Sequence, residues 1–179
     1  MQQHDVIIIG GGIFGGTLAC ALGASGMQVA LVEAREPEIN IGNNPRVYAI
    51  SRASERIFRS LGLWDAMAAR PVCAFTDMEV WDAGGSDVLH FDCAELAEPL
   101  LGHIIEPDVM LAALEDRLPA LPGVVLSRPA GFTDIETGRD RVVVTLDDGQ
   151  VLSAALLAAA DGARSPVRGQ LGIEVNRHA

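Results

Sequence analysis

The first regular pattern along the chain is a short apolar run, Val6–Ile9, ahead of a cluster of glycines; it reads as a buried parallel strand. Small and apolar residues follow the glycines (Leu18, Ala19, Ala21, Leu22) and predict a helix, with Gly26 placed for its C-terminal cap. A second strand, Gln28–Val32, ends at Glu33, and residues 36–45 are rich in turn formers and read as a loop. After Arg46–Ser51 the pattern predicts a helix over Ala53–Leu61, closed by Gly62, and a shorter one over Asp65–Ala69. From Ala74 the period changes. FTDMEVWDA alternates, Gly84-Gly85 turns and DVLHFD alternates again, which predicts a β-hairpin near residues 74–92. His103–Glu106 leads through Pro107-Asp108 into an amphipathic helix over Val109–Leu118, ended by Pro119 and Pro122-Gly123. Four strands are then predicted, Val124–Ser127, Phe132–Glu136, Arg141–Leu146 and Val151–Ala160, with tight turns at Thr137-Gly138 and Asp148-Gly149. The last is continuously apolar at LLAAA and returns to the buried parallel sheet. The class expected is α/β: a mostly parallel sheet flanked by helices, a β-meander at residues 132–152 and an inserted hairpin.

Composition removes several chemistries. The 179 residues suit one domain, or one domain and part of another, and 49% apolar residues are ample for a core. The net charge is −11 and all 13 basic residues are arginine, so no basic stripe is available for nucleic acid. Without lysine there is neither a Walker-type phosphate lysine nor Schiff-base chemistry. Cys20, Cys73 and Cys93 are scattered, as buried thiols of a reducing compartment are, and His4, His90, His103 and His178 lack metal-ligand spacing. The apolar N-terminus has Asp5 and no basic residue before it, unlike a signal peptide. No stretch reaches the ~18 apolar residues of a membrane helix without glycine or charge. A cytoplasmic protein is expected.

Residues 5–35 carry the most informative motif. Gly10, Gly12 and Gly15 fit G-x-G-x-x-G between the first strand and the first helix. Gly10 permits the tight turn, Gly12 lets the backbone approach a pyrophosphate, and Gly15 lets helix and strand pack closely. The helix N-terminus offers N–H groups and a positive dipole end to the diphosphate. Glu33 lies about twenty residues further on, where a carboxylate accepts hydrogen bonds from a ribose 2′-hydroxyl and repels a 2′-phosphate. A glycine triplet alone would need no more than a turn with positive φ. The order strand, glycines, helix, strand and acid makes it a dinucleotide site.

A second motif follows the last strand. DGARSPVR, residues 161–168, places Asp161 at the carboxyl end of a parallel strand, where open α/β sheets bind ligands. Gly162 permits close backbone approach, while Ser165 and Pro166 suit a helix cap and first turn. By itself this is equally a well-capped strand-to-helix turn.

Together the two motifs resemble the flavoprotein aromatic hydroxylases, single-component FAD monooxygenases built like p-hydroxybenzoate hydroxylase. Asp161, Gly162, Ser165 and Arg168 match that family's Asp-Gly motif, Glu33–Arg35 its acid and arginine at the FAD ribose, and Arg46 the arginine that approaches the cofactor. The segments RVYAIS (46–51), SERIFRSLGLWD (54–65), MEVWD (78–82) and LGHIIE (101–106) are most similar to the ubiquinone-biosynthesis 2-polyprenylphenol hydroxylases. Pro107 departs from the pattern, since relatives usually carry a polar residue there.

The resemblance implies a Rossmann-like FAD-binding domain. It assigns cofactor contacts to Gly10, Gly12, Ile13, Phe14, Gly15, Glu33, Ala34, Arg35, Arg46, Asp161 and Gly162. It implies FAD as cofactor, NAD(P)H and O₂ as co-substrates, and a prenylated phenol as the aromatic small-molecule substrate. It marks the chain as the N-terminal part of such an enzyme, residues 1–179 belonging to the FAD-binding domain with about 70–100 lent to an incomplete substrate domain. On that reading the chain alone is inactive and prone to self-association. An apolar substrate implies visits to the inner-membrane surface or contact with a biosynthetic complex, and the acidic balance opposes attraction to anionic lipid. No catalytic residue is assigned: Tyr48, His90 and His103 are neutral polar rings that could face a phenol, and isolated rings of this kind more commonly pack and hydrogen-bond. A reductase of the geranylgeranyl type, or a non-catalytic nucleotide-binding piece, remain as alternatives.

Overall fold

A computed structural model describes residues 1–85 and 87–176, which fall into two compact units, 1–38 with 114–176 and 39–113. Ser86 and residues 177–179, His178 among them, lie outside the described residues.

The first unit is built on a six-stranded sheet. Its strands are β1 (Gln2–Ile9), β2 (Val29–Val32), β8 (Val124–Ser127), β9 (Phe132–Thr137), β10 (Val142–Leu146) and β11 (Val151–Ala159). Their order is β8-β2-β1-β11-β10-β9. The first four run parallel, and β10 and β9 close the edge as an antiparallel meander. The expected juxtaposition of Val6–Ile9 with Val29–Val32 and Leu156–Ala160 is present, with the ladder to the last segment ending at Ala159. β1 is longer than its apolar run: Gln2, Gln3 and His4 pair with Leu152, Ser153 and Ala154, so the ladder, not hydrophobicity, sets the start.

Helix α1 (Ile13–Ala24) follows the glycine turn and buries its small residues Gly15, Gly16, Ala19, Cys20 and Gly23, while Phe14 and Leu18 are exposed. Its contacts leave no room for larger residues. A Cβ on Gly23 would lie 2.5 Å from Val124, and one on Gly16 would lie 3.1 Å from Leu114. The helix ends at Ser25, and Gly26 takes φ +88° just beyond it. Ile7, Ile9, Val32, Val144, Leu146, Leu152 and Val167 are among the residues of one buried cluster of this unit, the last from the short helix α5 (Pro166–Gln170).

The second unit carries a three-stranded antiparallel sheet of β3 (Tyr48–Ser51), β7 (Gly102–Ile105) and β4 (Cys73–Phe75), in the order β3-β7-β4. Helices α2 (Arg52–Ser60) and α3 (Trp64–Ala68) follow β3, with Ser51 capping α2 through Ser54 N–H. The single predicted strand at 75–83 is divided. Residues 73–75 join β7, while β5 (Asp77–Trp81) pairs only with β6 (Val88–Asp92). Helix α4 (Pro107–Arg117) starts at Pro107 itself, two residues before the predicted start, because proline fits a first helical turn. Pro119 does not stop the chain's coiling; it lies within a single 3₁₀ turn, Leu118–Ala120.

Candidate nucleotide site

The three fingerprint glycines meet three different geometric demands. Gly10 has φ +105°, and a Cβ there would lie 2.4 Å from the carbonyl oxygen of Ala160. At Gly15 a Cβ would lie 1.8 Å from the Gly10 carbonyl oxygen, so only glycine lets α1 leave the turn so close to β1. Gly12, the N-cap residue of α1, is different: its φ of −66° is open to any residue, and a Cβ there would meet nothing within 4 Å. Nothing in the protein requires glycine at this exposed position; an approaching ligand would. The N-terminus of α1 has no side-chain cap and no acid in its first turn, which leaves its N–H groups available to an anion. Ile13 is half-buried at the start of the helix, and Phe14 is 79% exposed beside it.

Glu33 follows the last residue of β2 and is held from both sides. Its Oε2 accepts the Gly11 N–H at 2.6 Å and its Oε1 accepts the Arg35 N–H at 3.0 Å. Its main chain is bracketed as well, with its N–H donating to Ser127 O at 3.0 Å and its carbonyl accepting from Ala130 N–H at 2.9 Å. Each carboxylate oxygen retains a lone pair for a hydroxyl donor. Gly11 was not singled out from the sequence. The middle glycine of the GGG run is the signal, since a Cβ there would lie 2.9 Å from Glu33 Cβ.

Glu33, Ala34 and Arg35 line a cleft of about 490 Å³ together with Gly10, Asp161, Arg164 and the segment Ala130–Phe132. Asp161 also borders an apolar cavity of about 660 Å³ on the side of Phe14 and Leu18. The Asp-Gly motif performs local structural work: Asp161 Oδ2 accepts the Val167 N–H at 3.0 Å, Ser165 Oγ accepts the Arg168 N–H at 3.0 Å, and Gly162 has φ +82°. The structure thus gathers all the expected residues of the first unit around one glycine turn. The fit to a dinucleotide rests on the empty space at Gly12 and the uncapped helix.

Arg46 belongs to the second unit, where it is exposed and its N–H donates to Asn44 Oδ1 at 3.1 Å. That loop is fastened to the start of α4. The buried Asp108 accepts from Asn40 N–H at 3.1 Å and from Asn44 Nδ2 at 3.4 Å, and Glu106 accepts from Gly42 N–H at 2.8 Å. Spacing could not reveal these partners, which are more than sixty residues apart.

His103 enters a charged cluster around Glu55, which is 2% exposed. Arg59 Nε donates to Glu55 Oε1 at 2.8 Å, Arg52 Nη1 lies 2.5 Å from Oε2, and His103 Nδ1 is 3.4 Å from Oε2. His103 Nδ1 is buried and makes no hydrogen bond at this distance. Burial pushes the Glu55 carboxyl up, and the hydrogen bonds from Arg59 and Arg52 outweigh it, so the group titrates below the usual carboxylate range. Trp64 packs edge-on against His103 at 4.9 Å and beneath Arg59 at 5.1 Å. His90 lies 3.5 Å from Asp77 across the hairpin, and Tyr48 is 43% exposed. Among the described residues no group of three or more His, Cys, Asp or Glu side chains converges on a metal position.

Residues 3–179 match the family model described as FAD binding domain. The chain belongs to that FAD-binding family. Among curated proteins, this FAD-binding chain is 38% identical over 175 residues to the ubiquinone hydroxylase UbiL of Rhodospirillum rubrum, covering 96% of the chain and 40% of that protein. It is 36% identical over 178 residues to the 3-demethoxyubiquinol 3-hydroxylase of Escherichia coli, covering 98% and 45%. The chain therefore spans less than half the length of these relatives. Its fold matches the p-nitrophenol 4-monooxygenase PnpA of Pseudomonas putida with a TM-score of 0.79 at 25% identity, over 98% of the chain and 45% of that structure. No helix among the described residues is long and apolar enough to cross a membrane.

Proposed function

We propose that the chain is the nucleotide-holding portion of an FAD-dependent monooxygenase that hydroxylates a prenylated phenol in ubiquinone biosynthesis. The observation that carries this reading is the open face of Gly12 at an uncapped helix, beside a fixed Glu33, in a chain whose full-length relatives are named as ubiquinone hydroxylases. Those names favour the hydroxylase over a reductase built on the same fingerprint.

Gly10, Gly12, Ile13, Phe14 and Gly15 would receive the pyrophosphate, and Glu33, Ala34 and Arg35 the ribose. Asp161 and Gly162 would complete the first unit's cofactor contacts. Glu33 opposes a 2′-phosphate, so FAD rather than NADP is the nucleotide of this cleft. Bound FAD would supply the redox chemistry: two electrons from NAD(P)H, one oxygen atom of O₂ to the ring and the other to water. The protein's own share is to bind, orient and exclude water. The β5–β6 hairpin would belong to a substrate domain. Its face bearing Met78, Val80, Leu89 and Phe91 is exposed, which suits an apolar neighbour, a second copy or a membrane surface.

The test is to supply a full-length enzyme containing this segment with FAD, NADH or NADPH, and a prenylated phenol. Retained flavin and a hydroxylated product support the reading; flavin-free protein in excess FAD would sink it.

A further inference from the structure

We infer that Arg128 is a positioning residue for the nucleotide cleft, holding in place the segment that carries Glu33 although Arg128 itself lines none of the cleft. The inference rests on the nucleotide reading above.

Arg128 stands between the two backbone groups that bracket Glu33, the Ser127 carbonyl and the Ala130 N–H. Its guanidinium makes a two-pronged contact with Glu115 on α4, Nη1 to Oε1 and Nη2 to Oε2, both at 2.7 Å. Its Nε reaches Glu36, three residues past Glu33, at 3.0 Å. One planar side chain thereby ties the exit of β2 and the exit of β8 to α4. The residues that follow, Gly131 and Phe132, form a wall of the cleft, and Gly131 exchanges hydrogen bonds with Asp147 at 2.9 and 3.0 Å.

Exposure decides which contact matters. The Arg128 and Glu115 side chains are 16% and 21% exposed, so their parallel bonds are both charge-assisted and shielded from water. Glu36 is 63% exposed, and such a pair contributes little alone. The fork to Glu115 therefore orients the guanidinium, and the contact to Glu36 follows from it. Lysine keeps the charge but cannot reproduce a planar fork with a third donor.

The experiment titrates the full chain with ADP and, separately, with inorganic pyrophosphate, well below the melting temperature of each variant. Pyrophosphate tests the α1 N-terminus, which Arg128 does not touch; ADP adds the ribose that depends on Glu33. Arg128→Lys and Glu115→Gln are expected to weaken ADP binding by about three- to tenfold while leaving pyrophosphate within about twofold, and Glu36→Gln to change either by less than about twofold. A purely structural arginine would lower both ligands together. Parallel loss, or wild-type ADP affinity in Arg128→Lys or Glu115→Gln, overturns the inference. A wild-type chain that bound pyrophosphate but not ADP would instead overturn the nucleotide reading itself.

Discussion

The Gly11 N–H donates to Glu33 Oε2 at 2.6 Å, so the glycine turn after β1 and the acid after β2 form one unit of structure. A carboxylate on a long side chain would otherwise sample several rotamers. Here it is fixed before any ligand arrives, which reduces the ordering cost of binding.

Replacing Glu33 with alanine removes both the ribose acceptor and the partner of two backbone N–H groups. Charge-assisted hydrogen bonds contribute about 1.5–3 kcal/mol, so flavin affinity should fall roughly tenfold to a hundredfold. Glu33→Gln keeps one acceptor oxygen and should fall between. Equilibrium dialysis with FAD checks the order, and unchanged FAD retention in Glu33→Ala would refute the assignment.

Gly12 and Gly15 should separate binding from folding. Gly15→Ala drives a methyl into a backbone carbonyl that cannot move away, and it should destabilise the protein by about 3 kcal/mol or more. Gly12→Ala meets open space, so its stability should stay within about 1 kcal/mol of the parent while nucleotide binding drops at least about tenfold. Urea unfolding beside a flavin titration reads both quantities.

Glu55 predicts a pH dependence. A carboxyl whose folded pKa is depressed contributes stability that is present above its unfolded value of about 4.3 and is lost as the pH falls through the lower folded value. Glu55→Gln should therefore cost about 1–2 kcal/mol at pH 7, with Arg59 half exposed and able to hydrate. The gap between variant and parent should narrow below about pH 4. A gap that stayed constant with pH would contradict the ion-pair account.

The three thiols should differ in reactivity. Burial pushes the Cys20 thiol up to about 11 despite nearby Arg117, and burial together with Asp92 and Asp77 raises Cys93. Cys73 is exposed. A thiol reagent at pH 8 should label Cys73 alone in the native protein and all three in denaturant, as mass spectrometry of the labelled peptides would show.

The isolated 179-residue chain should retain FAD weakly and form no hydroxylated phenol, because it spans about 40–45% of its relatives and its expected contacts are at the nucleotide's ADP end. Stoichiometric yellow protein that turns over product would show that the active site is complete within this chain.

The elements legible in the sequence were those whose cause is local. β1, its glycine turn, α1 and β2 are encoded within residues 5–33, and the meander is punctuated by Thr137-Gly138 and Asp148-Gly149. The three-stranded sheet was not legible as a sheet. Its strands have three or four residues each, too few for a period, and Tyr48 finds its partner at Ile105. The same holds at the site: the glycines and Glu33 follow a spacing, whereas Arg128, Glu115 and Asp108 act through partners that only folding reveals.

The parallel pairing of β1 with β11 joins residues about 150 positions apart. During synthesis at roughly 5–20 residues per second, β2 would emerge within seconds of β1, but β11 would follow only on the order of ten seconds later. Until then the central strand would present an open apolar edge with Ile7 and Ile9 along it. A nascent chain of this topology needs protection at its first strand for longer than at any other, and substitutions that slow closure there would lower the yield of folded protein without altering the finished structure.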